Sequence, residues 1–255
     1  MLRTRVIPVL LLRNESLVKT KQFGRFTYVG DPCNTVRIFN ELEVDELIFL
    51  DTTATSERRS PNLRLLRDIA DECFMPLAYG GGVTELEHAQ SVLEIGFEKI
   101  SINSHSFRSP QLIPRIANIF GAQAVIASID VKQNLRGQMK TWASGGHVST
   151  GWDPVLWAKE VESLGAGEIL LTSIDREGTW SGFDLELIQK VSESVTIPVV
   201  AHGGAGNCEH IRDAVSHGAS AVALGSMVVF QKKNMGVLVN FPSEKELDIS
   251  VSDGG

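Results

Sequence analysis

An internal repeat constrains the fold of this 255-residue chain more than any other feature. The segment PLAYGGGVTELEHAQSVLEIGFEKISINS, residues 76–104, recurs 122 positions later as PVVAHGGAGNCEHIRDAVSHGASAVALGS, residues 198–226. Each copy runs from an apolar, proline-started segment through a Gly-Gly pair into a segment with helical periodicity. Because fixed-period similarity is typical of repeated structural units, the sequence predicts two similar halves.

The paired glycine turns also predict anion binding. Glycine lets the backbone approach an anion closely, and the N–H groups of the turn and the following helix donate hydrogen bonds to it. Two such turns suit a ligand with two anionic groups. The alternative is a pair of ordinary strand-to-helix turns, which explains one copy better than a matched pair.

Apolar runs of strand length alternate with helical segments along the chain. The predicted strands are residues 5–11, 46–51, 75–80, 98–103, 123–130, 168–175, 197–203 and 220–226. The predicted helices are residues 32–43, 60–74, 85–95, 108–120, 153–165, 184–195 and 207–217. Uninterrupted Val, Ile and Leu are typical of parallel strands buried on both faces. Eight such units predict a (β/α)₈ TIM barrel of two half-barrels, with an open doubly wound sheet as the alternative.

The predicted barrel domain covers residues 1–230. Residues 231–255 form a C-terminal extension that completes the barrel and ends in a disordered tail. The long glycine-containing loop at 131–152 has two interpretations. It either closes over a ligand or forms a two-stranded flap without a catalytic part.

Composition narrows the class of protein. The formal net charge of −7 disfavours a general binder of nucleic acid or anionic membranes, which would carry a basic excess. The three cysteines, Cys33, Cys73 and Cys208, lack CxxC spacing, as expected of reduced thiols in a cytoplasmic protein. The apolar run near the N-terminus is too short for a signal peptide or a membrane span. We predict no metal site and no cofactor.

Functional residues of barrel enzymes follow the carboxyl ends of the strands. These positions hold Asp51, Asn103, Ser104, Asp130, Thr172, Asp175, His202 and Ser226. Asp130 ends an apolar strand, where a carboxylate is costly to bury unless it is solvated or hydrogen-bonded. It is therefore a candidate general acid or base, with a structural hydrogen-bonding role as the alternative. Asp175, before a glycine turn, is either a catalytic or a turn residue.

The two halves differ at one decisive position. A shift of 119 residues aligns residues 6–11 with residues 125–130, and Leu11 then stands where the second half has Asp130. A site that needs two opposed carboxylates for paired acid and base work is therefore not intact in this chain.

Charged residues also begin several of the predicted strands. Arg5, Glu46, Lys99 and Glu168 stand at the start of the first, second, fourth and sixth apolar runs. Two cations and two anions at this end predict an ion-paired ring on the barrel floor. Ordinary charged, exposed strand starts are the alternative.

Several motifs carry a family resemblance. VDELIFLD at 44–51, YGGG at 79–82, GAGEILLTSIDREGT at 165–179 and GGAG at 203–206 resemble the cyclase subunit of imidazole glycerol phosphate synthase, HisF. The resemblance extends over about residues 1 to 230. It implies a (β/α)₈ barrel of two half-barrels that receives ammonia through its interior from a glutaminase partner, HisH. That ammonia splits and cyclises a bisphosphorylated intermediate.

The resemblance also implies roles for individual residues. The family's phosphate-binding positions match Gly82, Asn103, Ser104, Gly178, Gly204, Gly225 and Ser226. The charged gate through which ammonia enters matches Arg5, Glu46, Lys99 and Glu168. Lys19 matches the lysine of the loop after strand one, and Asp51, Thr172, Asp175 and His202 are further candidate substrate contacts.

Three departures from the family pattern alter these expectations. The two catalytic aspartates of the family fall on Leu11 and Asp130, so the first is missing. Glu177 stands where the family usually has Asp, and His202 where it usually has Ser. We therefore expect weak or absent cyclase activity beside an intact ammonia entrance.

A narrower resemblance comes from RVIPVLLLRN, SLVKT, ECFMPLAYGGG and VNFPSEKELD, which are similar to segments of second-copy HisF-like proteins associated with surface-polysaccharide synthesis. It implies a HisH-like glutaminase partner and a third, amidotransferase-like protein. Together these convert an acetamido group of a nucleotide sugar or another phosphorylated acceptor to an acetamidino group. The alternatives are an authentic histidine-pathway cyclase and a non-catalytic ammonia conduit that activates the glutaminase. A sugar-phosphate isomerase is disfavoured, because that chemistry also uses the strand-one carboxylate.

Overall fold

The computed structural model describes residues 4–134 and 136–247. Strands and helices alternate along most of this range. The strands are β1 (Arg5–Arg13), β2 (Ser16–Thr20), β3 (Phe26–Gly30), β4 (Leu47–Asp51), β5 (Leu77–Gly80), β6 (Lys99–Ile102), β7 (Val125–Gln133), β8 (Met139–Ala143), β9 (Val148–Ser149), β10 (Glu168–Ser173), β11 (Val199–His202) and β12 (Ala221–Leu224). The helices are α1 (Pro32–Glu41), α2 (Leu63–Glu72), α3 (Leu86–Ile95), α4 (Leu112–Phe120), α5 (Pro154–Ser163), α6 (Leu185–Ser192), α7 (Cys208–Ser216), α8 (Ser226–Val229) and α9 (Glu244–Leu247).

Eight of these strands form a closed parallel ring. Its order is β1, β4, β5, β6, β7, β10, β11 and β12, with β12 paired to β1. These are the eight strands predicted from the apolar runs. The (β/α)₈ barrel is therefore confirmed, and the open sheet is wrong because the two halves are joined on both sides, by the β6–β7 and the β12–β1 pairings.

The seven predicted helices are α1 to α7, each somewhat shorter than its predicted segment. Their starts follow from capping chemistry. Asp31 and Asp153 accept hydrogen bonds from backbone amides of the first turn, and each precedes a proline suited to that turn. Asn62, Asp184 and Asn207 cap three other helices in the same way.

The apolar side chains lie in two layers. Alternate residues of a barrel strand point inward or outward, so Ile7, Val9 and Leu11 join a cluster inside the barrel. Val6 and Leu10 point outward, into the larger cluster between the strands and the helices.

Two antiparallel excursions lie outside the ring, one in each half. β1 extends past the ring to pair with β2, which pairs with β3, and this hairpin was not predicted. In the other half β7 pairs with β8 and β8 with β9, so the loop at 131–152 forms the two-stranded flap. The excursions follow corresponding strands, as expected of similar halves.

The ring is complete at Leu224, and the extension packs back onto it. Leu238 and Asn240 donate backbone hydrogen bonds to Val229 and Val228 of α8. Leu247 of α9 is buried in the outer core. The tail predicted to be disordered lies outside the described residues from position 248 onward. Among the described residues, no helix is both long and apolar enough to cross a membrane.

Candidate functional site

Asp130 lies at the carboxyl end of β7, in the mouth of the barrel. Burial raises the pKa of its carboxyl from 3.8 to about 7, with the charge of Glu177 adding to the rise and hydrogen bonding from Thr172 opposing it. Asn103 Nδ2 donates to Asp130 Oδ2 over 3.2 Å. A carboxyl whose pKa lies near neutrality can both accept and return a proton, as a general acid or base must.

Thr172 and His202 extend this site across two neighbouring strands. Thr172 pairs in register with Asp130 on one side and with His202 on the other. Thr172 Oγ1 lies 3.1 Å from His202 Nδ1, and both side chains are buried. Burial and the nearby Lys19 charge lower the pKa of His202 to about 3, so the imidazole is neutral at physiological pH.

Lys19, on β2, is folded into the same site. Its Nζ donates to the Val9 carbonyl over 3.1 Å, and the side chain is almost fully buried. Burial lowers its pKa to about 8, although the charge of Glu177 opposes the shift. A Cβ atom built on Gly225 would lie 2.5 Å from Lys19 Nζ and 3.6 Å from His202 Nε2, so Gly225 leaves room for both side chains.

Glu177 is a site residue that the sequence marked only as a departure from the family pattern. It is buried, and its carboxylate accepts from Thr20 Oγ1 at 3.1 Å and from the Phe23 amide at 3.2 Å. Burial raises the pKa of Glu177, and the Lys19 charge opposes that rise. Through these contacts Glu177 anchors the β2–β3 hairpin, and with it Lys19, over the mouth.

Asn103 and Ser104 connect β6 to both Asp130 and the flap. Ser104 Oγ donates to Asn103 Oδ1 over 3.0 Å and accepts from the Ser144 amide over 2.8 Å. Asn103 Nδ2 also lies 3.4 Å from the Trp142 carbonyl. The flap is therefore tied to two of the predicted phosphate-binding residues, although the sequence left its relation to the site open.

The repeated glycines are explained by close backbone packing. Gly82 has φ +67° and Gly204 φ +110°, values that side-chain-bearing residues rarely adopt. A Cβ atom would lie 2.2 Å from the Arg59 carbonyl oxygen at Gly82 and 2.1 Å from the Gly182 carbonyl oxygen at Gly204. Both halves therefore press a second loop against the glycine turn.

The repeated histidines have a structural role. His210 Nδ1 accepts from the Gly206 amide at 3.1 Å, and His88 Nδ1 lies 3.4 Å from the Thr84 amide. Each ring thus binds a backbone N–H four residues earlier, in the turn that precedes its helix.

The other predicted phosphate-binding residues lie around the same mouth. Gly178, with φ +68°, packs against the Thr20 carbonyl of the hairpin. Ser226 is buried at the start of α8, directly after Gly225.

Two predicted substrate contacts are engaged within the protein. Asp51 forms an ion pair with Arg59 at 3.0 Å and accepts from the Thr53 and Ala54 amides, which fixes the loop after β4. Asp175 accepts from the Gln133 amide at 2.9 Å and so joins the end of β7 to the loop after β10.

Leu11 lies in the inner apolar cluster and is only 6% exposed. It pairs in register with Val18 of β2 and Leu50 of β4. The position aligned with Asp130 is therefore packed by hydrophobic neighbours.

The four charged strand starts meet at the floor of the barrel. Arg5 pairs with Glu46 at 2.7 Å and with Glu168, while Lys99 pairs with Glu46 at 2.9 Å and with Glu168 at 3.0 Å. The side chain of Glu46 is 4% exposed and that of Glu168 is 6% exposed. The cations lie closer to solvent, so the ring separates the barrel interior from the surface.

A polar stripe that the sequence analysis missed lies between floor and mouth. Ser101 and Ser128 share a buried hydrogen bond of 2.6 Å. Ser101 follows Lys99 by two residues on β6, and Ser128 precedes Asp130 by two on β7, so the pair faces inward between them. The period of two within each strand could have revealed this stripe.

The described part of the chain contains no cluster of side chains suited to bind a metal ion. Over residues 4–134 and 136–247, no three His, Cys, Asp or Glu side chains are grouped so as to hold a metal ion.

Comparisons with known proteins agree on one family. Residues 5–234 match the family described as "Histidine biosynthesis protein". The chain is 45% identical over 250 residues to the "Putative imidazole glycerol phosphate synthase subunit hisF2" of Pseudomonas aeruginosa, covering 98% of this chain and 100% of that protein. It is 40% identical over 253 residues to the imidazole glycerol phosphate synthase subunit HisF of a Nostoc species, covering 98% of each. It is also 42% identical over 251 residues to the "Putative imidazole glycerol phosphate synthase subunit hisF3" of Vibrio vulnificus, covering 96% of this chain and 95% of that protein.

Proposed function

Because the chain belongs to the HisF family of imidazole glycerol phosphate synthase subunits, we propose that it is the synthase subunit of a glutamine-dependent complex. In this proposal a HisH-like glutaminase binds the barrel floor and releases ammonia into the barrel. The ammonia reacts at the mouth with a phosphorylated acceptor, for which we propose a nucleotide sugar of surface-polysaccharide synthesis. A third, amidotransferase-like protein takes part in converting its acetamido group to an acetamidino group.

One observation carries the proposal: of the two aligned strand-end positions, 11 and 130, only one has a carboxylate. Asp130 lies in the mouth, whereas the aligned Leu11 is packed against apolar neighbours. Cyclisation by the family's two aspartates needs proton transfer at both positions, and loss of one such step commonly costs about 10²–10⁴-fold. In attack of ammonia on the acetamido carbon, one group can accept a proton from nitrogen and return it to the carbonyl oxygen, which departs as water.

Two further features support the path of ammonia. The floor ring is held by ion pairs that can part and re-form without unfolding the barrel. The Ser101–Ser128 pair then offers hydrogen bonds between Lys99 and Asp130 to a small polar molecule. The opposite wall, which includes Ile7 and Val9 of β1, is apolar.

The mouth also suits an anionic ligand. The turns at Gly82 and Gly204 precede α3 and α7, whose amino ends favour anions. Lys19 adds a cation beside Gly225 and Ser226. We infer that one phosphate is held near Gly82, Asn103 and Ser104 and the other near Gly204, Gly225 and Ser226.

The test is reconstitution with a HisH-like glutaminase from the same organism. We expect a stable heterodimer on gel filtration and glutaminase activity well above that of the glutaminase alone. Lys99→Met should uncouple glutamine hydrolysis from product formation, whereas an exposed change in α6, Lys190→Met, should not. A monomer without effect on the partner would refute the proposal.

The authentic cyclase is the second candidate, favoured by the match to the Nostoc HisF over nearly the whole chain. Complementation of a cyclase-deficient histidine auxotroph separates the two functions. Robust growth supports the cyclase, and its absence together with an active glutaminase complex supports the proposed role. If Asp130→Asn leaves product yield in that complex unchanged, the chain is only a conduit that activates the glutaminase.

A further inference from the structure

The two halves of the barrel carry different side chains at equivalent positions of the mouth. In the second half, neighbouring strands align Asp130 with Thr172 and Thr172 with His202. In the first half, the same register aligns Leu11 with Leu50 and Leu50 with Gly80. The second half therefore has the polar residues Asp130, Thr172 and His202 at positions where the first half has only apolar ones.

The imidazole has no counterpart in the first half. A Cβ atom on Gly80 would lie 2.9 Å from Leu50 Cδ2 and 2.9 Å from Ser101 Cβ, so no side chain fits there. His202 instead occupies a buried position with a hydroxyl 3.1 Å from its Nδ1. A buried polar ring of this kind is costly unless its nitrogens are hydrogen-bonded, and its partner here is the neighbour of Asp130.

The surroundings select one arrangement of the ring protons. Lys19 Nζ and His202 Nε2 both lie beside Gly225, at 2.5 Å and 3.6 Å from the position of an added Cβ atom. An ammonium group disfavours a second N–H donor pointing toward it, so Nε2 carries the lone pair and Nδ1 the proton. His202 Nδ1–H then donates to Thr172 Oγ1, which leaves the single hydroxyl proton of Thr172 for its in-register neighbour Asp130, whose pKa hydrogen bonding from Thr172 lowers.

We propose that His202 is a positioning residue, which acts through the Thr172 hydroxyl to fix the hydrogen bond on the Asp130 carboxyl. The ring strengthens the hydroxyl as a donor, because a hydroxyl that accepts a hydrogen bond donates a stronger one. The proposal rests on the proposed function in taking Asp130 as the acid-base group. It adds the means by which a mouth with one carboxylate keeps that group oriented.

Two charged groups, Lys19 and Glu177, lie close to the line of residues His202, Thr172 and Asp130. Lys19 projects from β2 toward His202, and Glu177 acts on Asp130 from the loop after β10. Asn103, from the end of β6, donates to the Asp130 oxygen Oδ2. Variants that test the line should therefore leave these three residues unchanged.

The first test is nuclear magnetic resonance of the free protein with ¹⁵N-labelled histidine. We expect the His202 ring to be neutral between pH 5 and pH 8, roughly the range in which histidine usually titrates, and to be protonated at Nδ1. A neutral ring protonated at Nε2 overturns the proposal, because Nδ1 would then accept the Thr172 hydroxyl proton and leave none for Asp130.

The second test follows the titration of Asp130 by its ¹³Cγ signal in four proteins. Thr172→Val removes the donor and should raise the Asp130 midpoint by about one pH unit, the size of one charge-assisted hydrogen bond. His202→Phe keeps a ring without nitrogens and should raise the midpoint by roughly half a unit. In the double variant the midpoint should equal that of Thr172→Val.

The double variant separates positioning from packing. If His202→Phe raises the midpoint equally in the Thr172→Val background, the ring acts on Asp130 independently of Thr172, and the proposal is wrong. If His202→Phe does not fold, His202→Ala provides the same comparison with a smaller side chain that cannot form hydrogen bonds, and an unchanged midpoint refutes the proposal. These measurements need neither glutaminase nor acceptor, so failure of the proposed function would appear separately, as absence of glutaminase stimulation.

Discussion

The Asp130 carboxyl should destabilise the fold at neutral pH, and Asp130→Asn should remove this penalty. Burial raises the pKa of Asp130 from 3.8 to about 7. Between those values the unfolded chain has lost a proton that the folded protein retains, so stability falls as pH rises and levels off above pH 7. At about 1.4 kcal/mol per unit, the penalty is roughly 1.5 kcal/mol at pH 5 and about 4 kcal/mol at pH 8.

An asparagine at this position carries no charge, so the variant lacks this pH dependence. Its amide cannot accept from both Asn103 and Thr172 as a carboxylate does, which costs about 1 kcal/mol at every pH. We therefore expect Asp130→Asn to be close to the natural protein at pH 5 and more stable by about 3 kcal/mol at pH 8. For a chain of this length, 3 kcal/mol is a rise in Tm of roughly 6–12 °C.

The assay is urea unfolding of both proteins at pH 5, 6, 7 and 8, with thermal unfolding as a check. Asp71→Asn, at an exposed position of α2, is the matched control and should show no such pH-dependent gain. A difference between Asp130→Asn and the natural protein that stays constant from pH 5 to pH 8 would show that Asp130 keeps an ordinary pKa. The acid-base role assigned to it would then lose its physical basis.

Three further predictions concern other parts of the barrel. Leu11→Asp should give at most slight turnover of the bisphosphate cyclase substrate with added ammonium, because the new carboxyl lies among apolar residues and its pKa rises; turnover at the rate of a genuine cyclase would contradict this. Gly204→Ala should unfold more readily than Gly96→Ala, since both have positive φ but only Gly204 faces a carbonyl oxygen at 2.1 Å, and equal losses in urea unfolding would contradict the packing explanation. Glu168→Gln should cost about 2–4 kcal/mol of unfolding free energy, because it leaves Arg5 and Lys99 with one carboxylate. The double variant Glu168→Gln/Lys99→Met should lose less than the sum of the two single losses, and purely additive losses would argue against a coupled ring.

The strand ring could be predicted from sequence because its signal is local and repeated. Parallel strands buried on both faces leave uninterrupted apolar runs, such as residues 123–130, and the repeat at 76–104 and 198–226 sets the number of units. The β2–β3 hairpin left no comparable signal. Its strands are short and rich in polar residues, and its docking depends on Glu177, which lies more than 150 residues away from Thr20 in the sequence.

Within the candidate site, sequence position identified residues but not their contacts. Asp130, Thr172 and His202 were each predicted because they follow apolar strands, yet their alignment depends on the register of β7, β10 and β11. The ion pair of Asp51 with Arg59 was missed for a related reason, since a strand-end carboxylate looks the same whether it faces a ligand or the next loop. Only the folded loop distinguishes these outcomes.

The asymmetry between the halves limits the chemistry that this barrel can support. Both halves keep a glycine turn pressed against a neighbouring loop, and in the proposed function these two turns hold the two ends of a ligand with two anionic groups. The titratable side chains at the strand ends are concentrated in the second half, where Asp130 and His202 face a first half of Leu11, Leu50 and Gly80. A reaction that needs carboxylates at both aligned strand ends, on opposite faces of a bound ligand, therefore lacks its second carboxylate. In the proposed function, ammonia from the floor attacks the acetamido carbon, and Asp130 takes a proton from nitrogen and returns it to the oxygen that leaves as water, which needs only the half that remains polar.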